Sequence, residues 1–149
     1  MKIEEEIKGH FRNEYHKGII NLIYTVNQLN YQFEKDIKKH GLTTQQYNIL
    51  RVLQGFHSQC PVSIRFLKEH MLEKNSDVSR LVDKLFRKGL VERKENKTNR
   101  RQKDVDITKK GILLLINVKE YERKIDRPLL NLTEEEVIQL NRLLDKIRG

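Results

Sequence analysis

A mainly α-helical fold with one small β-hairpin is what the sequence predicts, and three observations carry that expectation. Apolar residues recur at helical steps of three and four along most of the 149 residues. One segment, Leu90 to Ile107, instead holds two short extended runs around a polar tip. Capping and stopping residues fall where the periodic stretches begin and end: Thr43, Ser63, Ser76, Thr108 and Thr133 in front, Gly41 and Gly89 behind.

The length suits one domain with a single core. The longest apolar run, Ile112 to Ile116, is far too short to span a bilayer, and the start MKIEEEIKGH lacks a signal-peptide pattern. A cytoplasmic chain without a membrane partner is therefore expected. Cys60 is the only cysteine, so no internal disulfide can form, which fits a reducing compartment. Lys and Arg number 30 against 21 Asp and Glu, a net charge of +9 that points to an anionic partner. Between Pro61 and Lys110 there are 15 Lys and Arg against 8 Asp and Glu, whereas the rest of the chain holds 15 against 13. The positive excess thus sits in the middle third. Nucleic acid fits that placement best, ahead of an acidic protein or a membrane surface.

In chain order, Phe11 to about Lys38 reads as one long helix, because Ile19, Ile23, Val26, Asn30, Phe33 and Ile37 follow steps of four and three. This near-heptad spacing suits a helix packed along another, within the chain or between two copies. Leu22, Tyr24, Leu29 and Tyr31 widen the apolar surface beyond one stripe, so a subunit contact is expected. His40 and Gly41 end that helix. Thr43 and Gln46 form a capping-box pattern, and Tyr47, Ile49, Leu50, Val52 and Leu53 supply a core face. Gly55 to Pro61 reads as a loop, after which Ser63 caps a short helix that buries Ile64, Leu67 and Met71. Leu72 to Asn75 leave room only for a tight turn.

Ser76 to Gly89, SDVSRLVDKLFRKG, comes next. Val78, Leu81, Val82 and Leu85 face inward, Ser76 is the expected N-cap, and Ser79, Arg80, Asp83, Lys84 and Arg87 project outward. Hydroxyl and guanidinium groups on such a face can read base edges in a major groove and meet phosphates, although an ordinary solvated helix has the same pattern. The surroundings favour the first reading. Two short helices joined by a tight turn make a helix-turn-helix, the first bracing the second. Leu90–Arg93 and Asp104–Ile107 then form a hairpin whose tip holds Lys97, Arg100 and Arg101, and this order gives a winged helix. Thr108 opens a helix with Ile112, Leu115, Ile116, Tyr121 and Ile125, and Pro128 interrupts it. Thr133 with Glu136 opens the last helix, whose buried face is expected to be Val137, Leu140, Leu144 and Ile147. The single domain 1–149 is thus read as a winged helix-turn-helix, residues 42–110, flanked by N- and C-terminal dimerisation helices, residues 1–41 and 111–149.

From about Leu42 to Leu114 these residues resemble the MarR family of bacterial winged-helix transcription regulators. The motifs are LTTQQYNIL opening the second helix, SRLVDKLFRKGLVER, NRR at the wing tip and ITKKG opening the next helix. The resemblance implies an obligate homodimer formed by the terminal helices and a wing entering the minor groove. It also implies, for many members, an anionic or phenolic effector held between the dimer helices and the DNA-binding lobe. Carried over by position, it puts Asn75, Ser76, Asp77, Ser79 and Arg80 at the groove-facing start of the recognition helix, and Ser63 and Arg65 near phosphates. Lys84, with Arg87, is assigned to phosphate or solvent. The family's wing carries Asp, any residue, then Arg, where this chain has Asn99, Arg100 and Arg101. The arginine is kept and the aspartate is not, so the guanidinium loses a charged partner. Arg101 is the candidate minor-groove contact. Asp77 has two readings: acceptance from a cytosine amino group or orientation of Arg80, and stabilisation at the positive end of the helix dipole.

No enzyme, cofactor or metal site is expected. His10, His16, His40, His57 and His70 are scattered without ligand spacing, and Cys60 would be a redox sensor only if its thiolate were stabilised. Tyr15, Tyr24, Tyr31 and Tyr47 are read as core or interface aromatics, with an effector pocket as their other use. The expected function is a sequence-specific double-stranded DNA-binding transcription regulator, a repressor, acting as a homodimer on a pseudo-palindromic operator and responsive to a small-molecule effector. The alternative is a winged-helix interaction module whose basic face meets an acidic protein.

Overall fold

The computed structural model describes residues 2–149 apart from 97, 100, 101 and 126, and apart from the side chains of 119–125. A short helix that the sequence did not announce comes first, α1 (Ile3–Ile7). It is held to α2 (Glu14–Lys38) by an ion pair between Glu4 and Lys17 and by the Tyr24 hydroxyl, which donates to Glu6 at 2.9 Å. α2 begins after Asn13 because that side chain accepts the His16 N–H at 2.9 Å, an N-cap. The capping box expected at Thr43 and Gln46 is present and opens α3 (Thr44–Gly55). A 3-10 turn, His57–Gln59, lies in the expected loop, and Ser63 caps α4 (Ile64–His70) by accepting from Phe66 N at 3.1 Å.

α5 (Val78–Arg87) leads into β1 (Val91–Glu95) and β2 (Lys103–Ile107), paired antiparallel with Val91 opposite Ile107 and Arg93 opposite Val105. Val62 bridges to the far side of β2 through two backbone bonds with Val105, 2.9 and 2.7 Å. A single bridging residue has no periodicity, so the sequence could not announce it. α6 (Lys109–Ile125), a 3-10 turn (Arg127–Asn131) and α7 (Glu134–Arg148) complete the chain, α7 opening on the expected Thr133–Glu136 box.

Leu50, Leu53, Leu67, Val82, Leu85, Val91, Val105 and Val118 are almost wholly buried, so the core lies where α3, α4 and α5 meet the hairpin and the first half of α6. Gly89, at φ +71°, turns the chain out of α5, and Leu90 N returns to Leu85 O at 3.0 Å. The Thr108 hydroxyl donates to Gly89 O at 2.7 Å and accepts from Gly111 N at 3.1 Å, tying the start of α6 to that turn. The approach is so close that a Cβ on Gly111 would lie 2.4 Å from Leu90 O.

The flanking helices are not covered by their own chain. In α2 Ile37 is buried, yet Ile19, Ile23 and Val26 are each about half exposed, at 52%, 53% and 50%. The face expected to be buried in α7 is not: Val137, Leu140 and Leu144 are only half-buried and Ile147 is 63% exposed. These side chains extend past the core and form an apolar surface that the chain itself leaves open. Among the described residues no helix is long and apolar enough to cross a membrane.

Candidate nucleic-acid interface

The turn between α4 and α5 is held from below by α3. Leu72 N donates to the Asn48 side chain at 2.9 Å, and Gln45 Nε2 donates to Glu73 at 3.1 Å. These contacts fix the entry of α5, whose Val78, Val82 and Leu85 lock its underside into the core. Its other side is left to solvent. Asn75, Asp77, Ser79, Arg80, Lys84 and Arg87 are all exposed, at the helix start and then at successive outward positions.

The cap of α5 corrects the sequence reading. Asp77, not Ser76, is the N-cap: its Oδ1 accepts from Arg80 N at 3.1 Å, and the helix begins at Val78. The Ser76 hydroxyl is turned inward, buried and without a hydrogen-bond partner. A carboxylate at the positive end of the helix satisfies an N–H and the local field together, which favours Asp77 for the cap. Ser76 still borders a shallow concavity of about 450 Å³ with Asn75, Asp77, Arg80 and Lys84 on its rim.

Arg65 is wholly on the surface and pairs with Glu69, one turn on, at 2.9 Å. A pair this exposed contributes little, so the guanidinium is available to a phosphate. Ser63 uses a lone pair as a cap and keeps its O–H to donate. Of the wing residues singled out in the sequence, Lys97, Arg100 and Arg101 lie outside the described residues. Their frame is described. Asn96 Oδ1 accepts from Thr98 N at 2.9 Å and Asn99 N at 2.8 Å, Asn96 N donates to Gln102 O at 3.1 Å, and Asn96 Nδ2 donates to Asp104 at 2.9 Å. One asparagine thus shapes the turn, a role that sequence reasoning missed although an Asn opening a polar tip is its signal.

Charges at the base of the hairpin are paired. Lys94 bonds Glu92 at 2.9 Å and Asp106 at 3.2 Å, and these two carboxylates hold its ammonium above the usual lysine range. Arg93 pairs with Asp83 of α5. Cys60 moves the other way from a reactive thiol. Burial first, then the Asp106 charge, push its thiol above the ordinary range, and Sγ lies 3.4 Å from Leu53 O. A thiol disfavoured as thiolate is a poor redox sensor. Among the described residues no three His, Cys, Asp or Glu side chains are grouped to hold a metal ion.

A second concavity, about 420 Å³, opens between α2 and α3, with Val26, Phe33, Tyr47, Met71 and Leu72 among its walls. Tyr47 is buried edge-on to Phe33 at 5.3 Å. Tyr15 and Tyr31, at 89% and 61% exposure, lie outside it.

Comparison with known proteins agrees with this architecture. The MarR family model matches residues 40–102, which run from just after α2 through α3, α4, α5 and β1 and stop before β2. A curated relative, the HTH-type transcriptional regulator MhqR of Bacillus subtilis, is 30% identical over 132 residues, covering 88% of this chain and 89% of that one. The S. aureus MepR–DNA complex shares the fold with a TM-score of 0.76 at 22% identity, over 93% of this chain and 97% of that one. The organohalide-sensing regulator RdhR-CbdbA1625, in its 2,4-dichlorophenol-bound form, does so with a TM-score of 0.78 at 18% identity, over 91% and 80%. With a relative 30% identical along nearly the whole chain and the family model matched across the helix-turn-helix and the first strand of the hairpin, this protein belongs to the MarR family.

Proposed function

We propose that the chain is a cytoplasmic, homodimeric transcription regulator that represses by binding a pseudo-palindromic duplex. Residues 1–41 and 111–149 form the dimer platform, and residues 42–110 the DNA-binding lobe. The two α5 helices enter successive major grooves about one turn, roughly 34 Å, apart. The observation that carries this reading is the exposed polar start of α5, Asn75, Asp77, Ser79 and Arg80, presented by an underside sealed into the core. Ser63, Arg65 and Lys84 supply phosphate contacts, Ser76 keeps its buried hydroxyl off the duplex, and the tip residues Lys97, Arg100 and Arg101 track the neighbouring backbone and minor groove. The concavity between α2 and α3 is the place for a small phenolic effector, since it combines aromatic and aliphatic walls with polar side chains such as Asn30 and Asn48 and joins the platform to the lobe.

Arg80→Ala and Arg101→Ala test the interface together. Arg80→Ala is expected to cost about 1–3 kcal/mol on the preferred duplex and to relax choice at particular base pairs. Arg101→Ala is expected to weaken all duplexes alike and to lower the salt slope by about 1. An unchanged slope and affinity for Arg101→Ala would remove the wing from the interface.

A further inference from the structure

The exposed side of α5 is not uniform. Asp83 and Phe86, three residues apart, lie on the flank turned to β1, away from Lys84, and Phe86 is 47% exposed. Both meet one residue. Arg93, midway along β1, forms an ion pair with Asp83, and its guanidinium carbon sits 4.9 Å from the centre of the Phe86 ring. The strand end of the contact is firmly based: Arg93 opposes Val105, which is 1% exposed and bonded on its far side to Val62. Beyond Arg93 the ladder has only two more pairs, Lys94 with Asp104 and Glu95 with Lys103.

We propose that Arg93 is a positioning residue: gripping Asp83 and Phe86, it sets the angle between the recognition helix and the wing so that both meet one duplex in register. The inference rests on the DNA-binding reading above. Past Arg93 the paired strands extend about 7 Å at about 3.3 Å per residue before the tip begins, so a change of angle at Arg93 is amplified at the tip. A tip displacement of about 3 Å, the length of a hydrogen bond, suffices to take a tip arginine off its groove. The pair is part-exposed, with side-chain exposures of 30% and 50%, so it adds little to folding and its use lies in orientation. A planar guanidinium can fork to a carboxylate and lie over a ring at once, whereas a lysine ammonium cannot do both.

A purely electrostatic role would be different. There Arg93 only neutralises a carboxylate that would repel phosphate, so Asp83→Ala should bind more tightly and Arg93→Lys should change nothing. Hydroxyl-radical footprints on the preferred duplex, with affinities by fluorescence anisotropy, separate the two. Arg93→Lys and Asp83→Ala, each melting like the parent, are expected to bind roughly three- to tenfold more weakly. Both should lose hydroxyl-radical protection in the minor groove beside the half-site while keeping protection of guanine N7 from dimethyl sulfate in the major groove. Exchanging the charges, Asp83→Arg with Arg93→Asp, should restore part of the wing protection. Intact wing protection in Asp83→Ala, with equal or tighter binding, would overturn the proposal. Absence of any footprint by the parent protein would instead overturn the DNA-binding reading, and this inference with it.

Discussion

Asp77 shows how one side chain can settle where an element starts. Its carboxylate accepts the Arg80 N–H and closes the first turn of α5, while the neighbouring Ser76 hydroxyl is buried without a partner. Asp77→Ala is expected to lower stability by about 1 kcal/mol, read from the denaturant midpoint, and Asp77→Ser to recover most of it. Ser76→Ala should be neutral or stabilising, since a buried unpaired hydroxyl carries a desolvation cost of about 1–3 kcal/mol. A loss in Ser76→Ala as large as in Asp77→Ala would return the cap to Ser76. The sequence could place a cap here but not choose between adjacent residues that both cap well. At Ser63 and Thr133, with no second good capping residue beside them, there was no such competition and the caps were legible. The state of Cys60 was not legible at all, because it depends on burial and on Asp106, distant in sequence.

At the scale of elements, the helix-turn-helix was readable because its signals are local: apolar steps of three and four, a cap in front, glycine behind. The hairpin was readable as two strands but not in its attachments. Val62 on β2, Arg93 on α5 and Asn48 under the turn are contacts between separate stretches, and periodicity within one stretch says nothing of them. Gly111 belongs to the same class, an ordinary-looking residue near the start of α6 that the backbone of Leu90 leaves no room to replace. Gly111→Ala is expected to destabilise by about 1–3 kcal/mol in thermal unfolding, as α6 retreats from the turn. Gly18→Ala in α2, where nothing lies within 4 Å of the added methyl, should instead stabilise by up to about 1 kcal/mol. Equal effects at the two sites would mean that helix propensity, not the close approach at Leu90, governs both.

Across the whole molecule, a sealed lobe is joined to helices that are unfinished alone. Ile19, Ile23 and Val26 of α2 and Ile138, Leu143 and Ile147 of α7 stay open in one chain, and they are the surface that the proposed dimer platform would bury. The sequence announced the α2 stripe and, in α7, a face of Val137, Leu140, Leu144 and Ile147, yet it could not say whether the same chain would cover them; that α7 face was expected to be buried and is at most half-buried. Two copies place two basic lobes on one duplex, so twofold symmetry in the protein should be matched by symmetry in the DNA. The most direct measurement is selection of bound duplexes from a random pool, followed by binding of the enriched duplex and a scrambled one at the same moderate salt. A dimeric operator reader should enrich a pseudo-palindrome with half-sites about 10 base pairs apart and bind it at least about 10³-fold more tightly than the scrambled duplex. Equal, salt-sensitive binding to both, with no sequence enriched, would contradict that function and leave the basic face as a surface for an acidic protein partner.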